Sequence, residues 1–158
     1  MTEDEWLAIL RGDDPASAGR AEAALWAIWH RSGTAEVDDL LRRGVEAMEG
    51  QELDEAEACF TRIIAQEPTF AEGWNKRATV RYLAGSYDAS IADCREVLRR
   101  KPHHFGALSG QGLCHLALGQ YREAAAMFRQ TLAVHPYLTA ARHNLAQALS
   151  EAVKGNGH

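Results

Sequence analysis

Three prolines, Pro68, Pro102 and Pro136, stand 34 residues apart. The rest of the chain falls into register on that spacing. Leu40, Trp74 and Leu108 form one column, and Gly44, Ala78 and Gly112 form the next. Leu53, Tyr87 and Tyr121 follow, then Ala56, Ser90 and Ala124, then Phe60, Cys94 and Phe128, then Ile63, Val97 and Thr131. A fixed period of this length restricts the chain to a stack of like units, because one such unit cannot bury its own apolar face. Inside a unit the apolar residues recur at helical spacing: Trp74, Ala78 and Tyr82 in one segment, Ala89, Cys94, Val97 and Leu98 in the next. No strand-like alternation is present. Gly85 and Gly119 fall between the two segments, where a left-handed conformation is cheap for glycine. Small residues such as Gly112 and Ala124 let two helices approach closely. Each proline ends its helix, since it lacks an N–H and disfavours helix in the residue before it. Thr69 with Glu72 predicts a capping box that opens the helix after Pro68.

Large, small, aromatic, small, aromatic and proline at this period resembles the tetratricopeptide repeat, a helix-turn-helix unit. The resemblance covers residues 37–138, with units at 37–70, 71–104 and 105–138. It implies an all-α fold: a right-handed superhelical solenoid of paired helices. The first unit departs from the pattern. It has Gln51 where the others have Gly85 and Gly119, and its Gly50 comes one residue early, which predicts a slightly different turn. Arg43, Arg77 and Gln111 occupy a column more often leucine in this family, and Arg81 and His115 one more often aromatic. Many bacterial members resemble this chain in carrying arginine at the first column, which makes Asp93 the expected partner of Arg77. Trp74 stands in the large-residue column of the middle unit and is expected to be enclosed on both sides.

The ends read as caps. Residues 139–152 look like a first helix without its second, the expected cap on an open stack. Residues 153–158 read as a disordered tail. Extending the period backwards places Trp6 in the column of Leu40, and Trp26 and Trp29 in the columns of Phe60 and Ile63. Gly12-Asp13-Asp14-Pro15 interrupts that echo, and Asp14 before Pro15 is a good helix start. Residues 1–36 therefore read as a degenerate unit: a short helix near 3–11, a long one near 15–32, and a turn at Ser32-Gly33-Thr34. Trp26, Ile28 and Trp29 are expected to bury the open end of the stack. The string from Ala24 to Gly33 is similar to a bacterial group of short tetratricopeptide proteins of unassigned function, and it implies no activity.

Composition excludes several classes. With 158 residues, 46% hydrophobic and 25% charged, the chain is of ordinary single-domain size and make-up. No stretch approaches 18 uncharged apolar residues, so no membrane span is expected. The acidic start, Met1 to Trp6, lacks the basic-then-apolar order of a signal peptide. Cys59, Cys94 and Cys114 are odd in number and form no CxxC, so reduced core thiols in the cytoplasm are expected. The net charge of −5 is uneven. Residues 1–70 hold 16 acidic and 6 basic side chains, a net of −10, and residues 71–158 hold 6 and 11, a net of +5. Such polarity orients an approaching partner. Nucleic acid is not expected as that partner, because a net-acidic chain tracks phosphates poorly.

Searching for chemistry returns little. There is no Walker loop, GxGxxG, GxSxG or HExxH. The seven histidines form no convincing ligand pattern, and neighbouring Cys114 and His115 face apart on a helix. No catalytic residue, metal or cofactor is expected. What remains is surface. In the family the first helices of the units line a concave face that receives an extended peptide or a helix. The columns carried over by that resemblance are Leu41, Val45 and Met48, with Asp38 and Glu49; Asn75, Thr79 and Tyr82, with Glu72 and Leu83; Ser109, Leu113 and Leu116; and His143 with Gln147. Eukaryotic co-chaperones of the family grip a C-terminal carboxylate with lysine and asparagine in two first-unit columns that here hold Leu41 and Val45. The expectation is a non-catalytic scaffold for an unidentified protein or peptide. Three alternatives stand beside it: weak self-association through the Trp-rich N-terminal helices, an enzyme with an unrecognised site, and a groove filled by the chain's own N-terminal helix.

Overall fold

The structure, a computed structural model, describes residues 1–155. Asn156, Gly157 and His158, expected in a disordered tail, lie outside the described residues. Among the described residues every regular element is a helix: α1 (Glu3–Leu10), α2 (Pro15–Trp29), α3 (Ala35–Glu49), α4 (Leu53–Gln66), α5 (Ala71–Leu83), α6 (Tyr87–Arg100), α7 (Phe105–Ala117), α8 (Tyr121–Val134) and α9 (Thr139–Lys154). The chain divides into two compact units. One holds residues 29–102. The other joins residues 1–28 to the stretch from His103 onward. Within the first, α3 packs on α4, α4 on α5 and α5 on α6; within the second, α7 packs on α8 and α8 on α9.

The prolines act at the position before them. Glu67, Lys101 and His135 close α4, α6 and α8 with φ of −134°, −132° and −131° and ψ of 77°, 82° and 82°. A proline ring clashes with helical geometry in the preceding residue and drives it to this extended region. Gly85 and Gly119 turn the chain at φ 81° and 73°. The first turn is not different, as expected from Gly50, but the same: Gln51 itself takes the left-handed role at φ 60° while Gly50 stays at −80°. The capping box expected at Thr69 and Glu72 is not formed. Phe70 is the N-cap residue of α5, without a side-chain bond, and Glu72 is buried. The opening helices end earlier than the sequence suggests, at Leu10 and Trp29, while α9 runs through Lys154.

Core packing explains the columns. In the unit of residues 29–102, Val37, Leu40, Phe60, Ile63 and Val80 form one buried cluster. In the other, Ala124, Ala125, Phe128 and Ala148 form a second. Burying a phenylalanine or isoleucine of this kind stabilises by about 1.5–3 kcal/mol. The glycine column exists because of the aromatic column. A Cβ on Gly112 would stand 2.7 Å from Phe128 Cε1, and one on Gly44 would collide with the Phe60 ring in the same way. The middle repeat carries the complementary pair, Ala78 with Cys94, both buried. Ser90, in the small column, is buried and donates from Oγ to the Ala78 carbonyl at 2.6 Å.

Trp74 departs from its column. Leu40 and Leu108 are buried, but Trp74 is half-buried. Its indole N–H donates to the Pro68 carbonyl at 2.9 Å. The guanidinium carbons of Arg77 and Arg100 lie 5.3 and 4.8 Å from the ring centre. The indole is longer than the leucine slot, so it lies out along the surface and its face is covered by cations. Arg100 Nε donates to the same carbonyl at 2.7 Å. Its NH1 donates to Glu96 Oε2 at 2.7 Å, a bond that holds the Glu96 carboxyl below its usual range.

Candidate functional site

The expected surface is built on the first helix of each repeat. On α3, Leu41 and Val45 floor a shallow cleft of about 470 Å³. Its rim holds Asp38, Arg42, Glu46, His30 and Lys76. Leu41 is buried, while Val45 and Met48 are half-buried and pack on the Phe60 cluster. Arg42 bridges Asp39 and Glu46 along its own helix, and hydrogen bonds to those two carboxylates raise its guanidinium above the usual value. Asp38 accepts a 2.6 Å bond from the Ser32 hydroxyl. Sequence reasoning missed Arg42, Lys76 and His30. The first two share one column 34 residues apart, one position from Leu41 and Asn75, and that adjacency was the available signal.

On α5, Asn75 is buried and its amide donates to Glu72 Oε1 at 2.9 Å. Thr79 is exposed, with its hydroxyl donating to the Asn75 carbonyl at 3.1 Å. Tyr82 is half-buried and its ring meets Tyr87 at 5.6 Å. Leu83 stands 54% exposed at the end of the helix. In the other unit, Ser109 is half-buried, and Leu113 and Leu116 pack with Leu145 over the Phe128 cluster. His143 is exposed on α9. The arrangement offers apolar floor with scattered hydroxyls and amides. Among the described residues there is no group of three or more His, Cys, Asp or Glu able to hold a metal, and no helix long and apolar enough to cross a membrane. All three cysteines are free thiols and buried.

Behind this surface the second and third repeats are wired differently. Arg77 makes a fork of two 2.9 Å bonds to the buried Asp93, as expected, and a 3.3 Å bond to Thr61. Arg81 adds a 3.0 Å bond to Asp93 and a 2.8 Å bond to Glu57. In the third repeat the columns of Arg77 and Arg81 hold Gln111 and His115, which join Gln120 in a chain, while Asp93's column holds Met127. His115 Nδ1 is 2.6 Å from Gln120 Oε1, and His115 Nε2 is 3.3 Å from the Gln111 amide nitrogen. Since Gln120 Oε1 can only accept, Nδ1–H donates and Nε2 accepts from Gln111.

The tetratricopeptide-repeat profile matches residues 41–105 and 106–156. The chain belongs to the tetratricopeptide-repeat family. A TPR repeat-containing protein of Rhizobium etli is 30% identical over 148 residues, covering 94% of this chain and 72% of the relative. The first TPR of Spaghetti (RPAP3), bound to the HSP90 peptide SRMEEVD, superposes with TM-score 0.72 at 21% identity, over 75% of this chain and 94% of that one. The second TPR domain of human RPAP3, in complex with the HSP70 peptide SGPTIEEVD, gives 0.66 at 23% identity, over 72% and 92%. These likenesses establish the all-α tetratricopeptide superhelix as the fold.

The expectation that Trp26 buries the open end of the tetratricopeptide stack is corrected. Its ring stands edge-on to His104 and Phe105 at the start of α7, in the third repeat. Trp29 is 4% exposed, in the unit of residues 29–102. Trp26 itself is half-buried.

Proposed function

We propose that this tetratricopeptide protein is a non-catalytic interaction module. It receives an apolar segment of a partner protein along the first-helix columns: Leu41, Val45 and Met48, then Asn75, Thr79 and Tyr82, then Ser109, Leu113 and Leu116, with His143 at the cap. The observation that carries this reading is the cleft over α3, whose floor is Leu41 and Val45 and whose rim is charged. Apolar floors with polar rims suit recognition of a peptide, in which a few side chains anchor and the rest exclude water. The related RPAP3 domains with bound peptides support the class of ligand. They do not supply its sequence. With leucine and valine on this floor, a segment led by apolar side chains fits better than the acidic tails SRMEEVD and SGPTIEEVD. A compartment that keeps buried thiols reduced, the cytoplasm, suits the three free cysteines.

The test uses exposed and half-exposed positions, so that folding and binding separate. Thr79→Glu, Tyr82→Ala and His143→Glu should keep the wild-type melting point within about 2 °C and each lose partners that the wild-type chain retains on affinity purification. If all three retain every partner, the columns are not the binding surface.

A further inference from the structure

The residues that seat α2 on the third repeat form a set of unlike contacts. Trp26 stands edge-on to His104 and Phe105, with ring centres 5.3 and 5.4 Å apart. A Cβ on Gly106 would meet Trp26 Cη2 at 2.7 Å, so the indole occupies room that only glycine leaves. The equivalent columns of the first and second repeats hold Asp38 and Glu72, and the cradle belongs to the third repeat. Four residues before Trp26, Glu22 Oε2 lies 3.0 Å from His135 Nε2. Ahead of α2, the Gly12 carbonyl accepts a 2.6 Å bond from the Tyr137 hydroxyl. Ala18, Ala21 and Leu25 are fully buried, at the spacing of one helical stripe. Gly106 stands on one face of α7 with Ser109 and Leu113.

We propose that this is a helix-receiving site on the third repeat, and that the chain's own α2 is its resident and displaceable ligand. The chemistry it accepts is an amphipathic helix with a stripe of small apolar residues, one carboxylate, and an indole four residues later. His135 receives the carboxylate, the Gly106 cradle receives the indole, and Tyr137 holds a backbone carbonyl just ahead of the helix. The seat is not fully satisfied: His135 is buried with its ring edge on Phe105 at 5.0 Å, yet its Nδ1 has no hydrogen-bond partner. A buried ring nitrogen without a partner lowers the gain from seating α2. A partner helix of this pattern competes with a tethered segment at high effective concentration, so it binds only by displacing α2. The proposal stands on the contacts of α2 and does not rest on the concave-face reading.

A fluorescein-labelled synthetic peptide of residues 13–30 is titrated by anisotropy against two full-length chains, wild type and the Glu22→Ala/Trp26→Ala double variant. The peptide should bind the variant at least tenfold more tightly than the wild type, whose site is filled. Adding Gly106→Val to the variant should abolish that binding. Hydrogen exchange on the wild-type chain gives a second reading that needs no folded variant: amides of Ala18 to Leu25 should exchange at least tenfold faster than those of Leu108 to His115, through opening of α2 alone. Equal binding to both chains, or no binding to a variant that retains its helical circular dichroism, overturns the proposal. So does exchange of α2 at the rate of α7. If the variant is unfolded, the exchange comparison decides by itself.

Discussion

The second and third repeats have the same backbone and fill the columns of Arg77 and Arg81, and the facing pair beside them, with different chemistry. In the second, Arg77, Arg81 and Asp93, with Glu57 of the first repeat, form an ionic network, and Ala78 faces Cys94. In the third, Gln111, His115 and Gln120 form a neutral chain, and Gly112 faces Phe128. The repeat thus constrains the summed volume of the facing pair and leaves the polar columns free, to the point that Gln111 Oε1 is buried without a partner. Side chains of different charge and volume produce helices with matching caps, φ −88° with ψ 65° at Ser86 and φ −88° with ψ 70° at Gln120.

Breaking the ionic half should have the largest effect. Asp93 has 3% of its side chain exposed and neutralises two arginines that are themselves 13% and 23% exposed. Asp93→Ala leaves both cations without that carboxylate, and removal of one partner from a buried pair costs about 3–5 kcal/mol. The triple variant Arg77→Gln/Arg81→His/Asp93→Met carries the third repeat's residues at all three positions and should lose far less. Urea denaturation measures both. If Asp93→Ala is as mild as the triple variant, the network is not what stabilises the second repeat.

Trp74→Ala should rank next, at about 2 kcal/mol. It loses one hydrogen bond, worth about 1 kcal/mol net, and two cation–π contacts of roughly 0.5–1 kcal/mol each near the surface. Trp74→Leu, which restores the third repeat's residue, should not rescue it, because leucine cannot donate to the Pro68 carbonyl. A thermal melt in which Trp74→Leu matches wild type would return Trp74 to the core. The cap helix repeats this device, since Arg142 also donates to its proline carbonyl, on Pro136, at 2.7 and 3.1 Å.

Most of the fold was legible because each contact that defines it is local and repeated. The columns 44/60, 78/94 and 112/128 are always 16 residues apart, so one misleading residue is outvoted by its counterparts. The Arg77–Asp93 pair was legible from the family resemblance instead, since the same column holds Cys59 in the first repeat and Met127 in the third. The seat of α2 was not: Glu22 to His135 and Gly12 to Tyr137 are single pairings across 113 and 125 residues, with no repeat to amplify them. Trp74 misled in a different way. Its column says which side of the helix it leaves from and says nothing about how far an indole reaches. The cleft over α3 was half legible, its apolar floor and Asp38 from the family columns and the rest of its charged rim, Arg42, Glu46, His30 and Lys76, from the folded chain.

Gly112→Ala tests the volume half of the comparison. The added methyl must push Phe128 by more than half an ångström, and overpacking of a tight core costs about 1–3 kcal/mol. Adding Phe128→Cys, which completes the second repeat's pair, should cost less than the two single changes summed, with a coupling of about 1 kcal/mol. Strict additivity in denaturant would mean that the two columns do not share one space.

The smallest effect concerns what the two repeats have in common. Both turn through a left-handed glycine, and the first repeat shows what happens without one: Gln51 is held at φ 60°. An L-residue with a Cβ is strained there by about 1–2 kcal/mol, and a glycine in its place gives back roughly 0.5–1 kcal/mol through the entropy of the unfolded chain. Gln51→Gly should therefore stabilise by about 0.5–1 kcal/mol, or roughly 1–4 °C in melting point for a chain of this size. Gly85→Gln should cost a similar amount, because its Cβ would point into open space and only the backbone term acts. Gly119→Gln should match it, since the nearest atom to its Cβ, the Tyr121 hydroxyl, lies at 4.0 Å and is in ordinary contact. Equal costs at 85 and 119 in differential scanning calorimetry would show that the turn is independent of whether the repeat beside it is ionic or neutral. A difference larger than about 1 kcal/mol would tie the turn to the polar networks, through Gln120, which is the N-cap residue of α8 and accepts a hydrogen bond from His115.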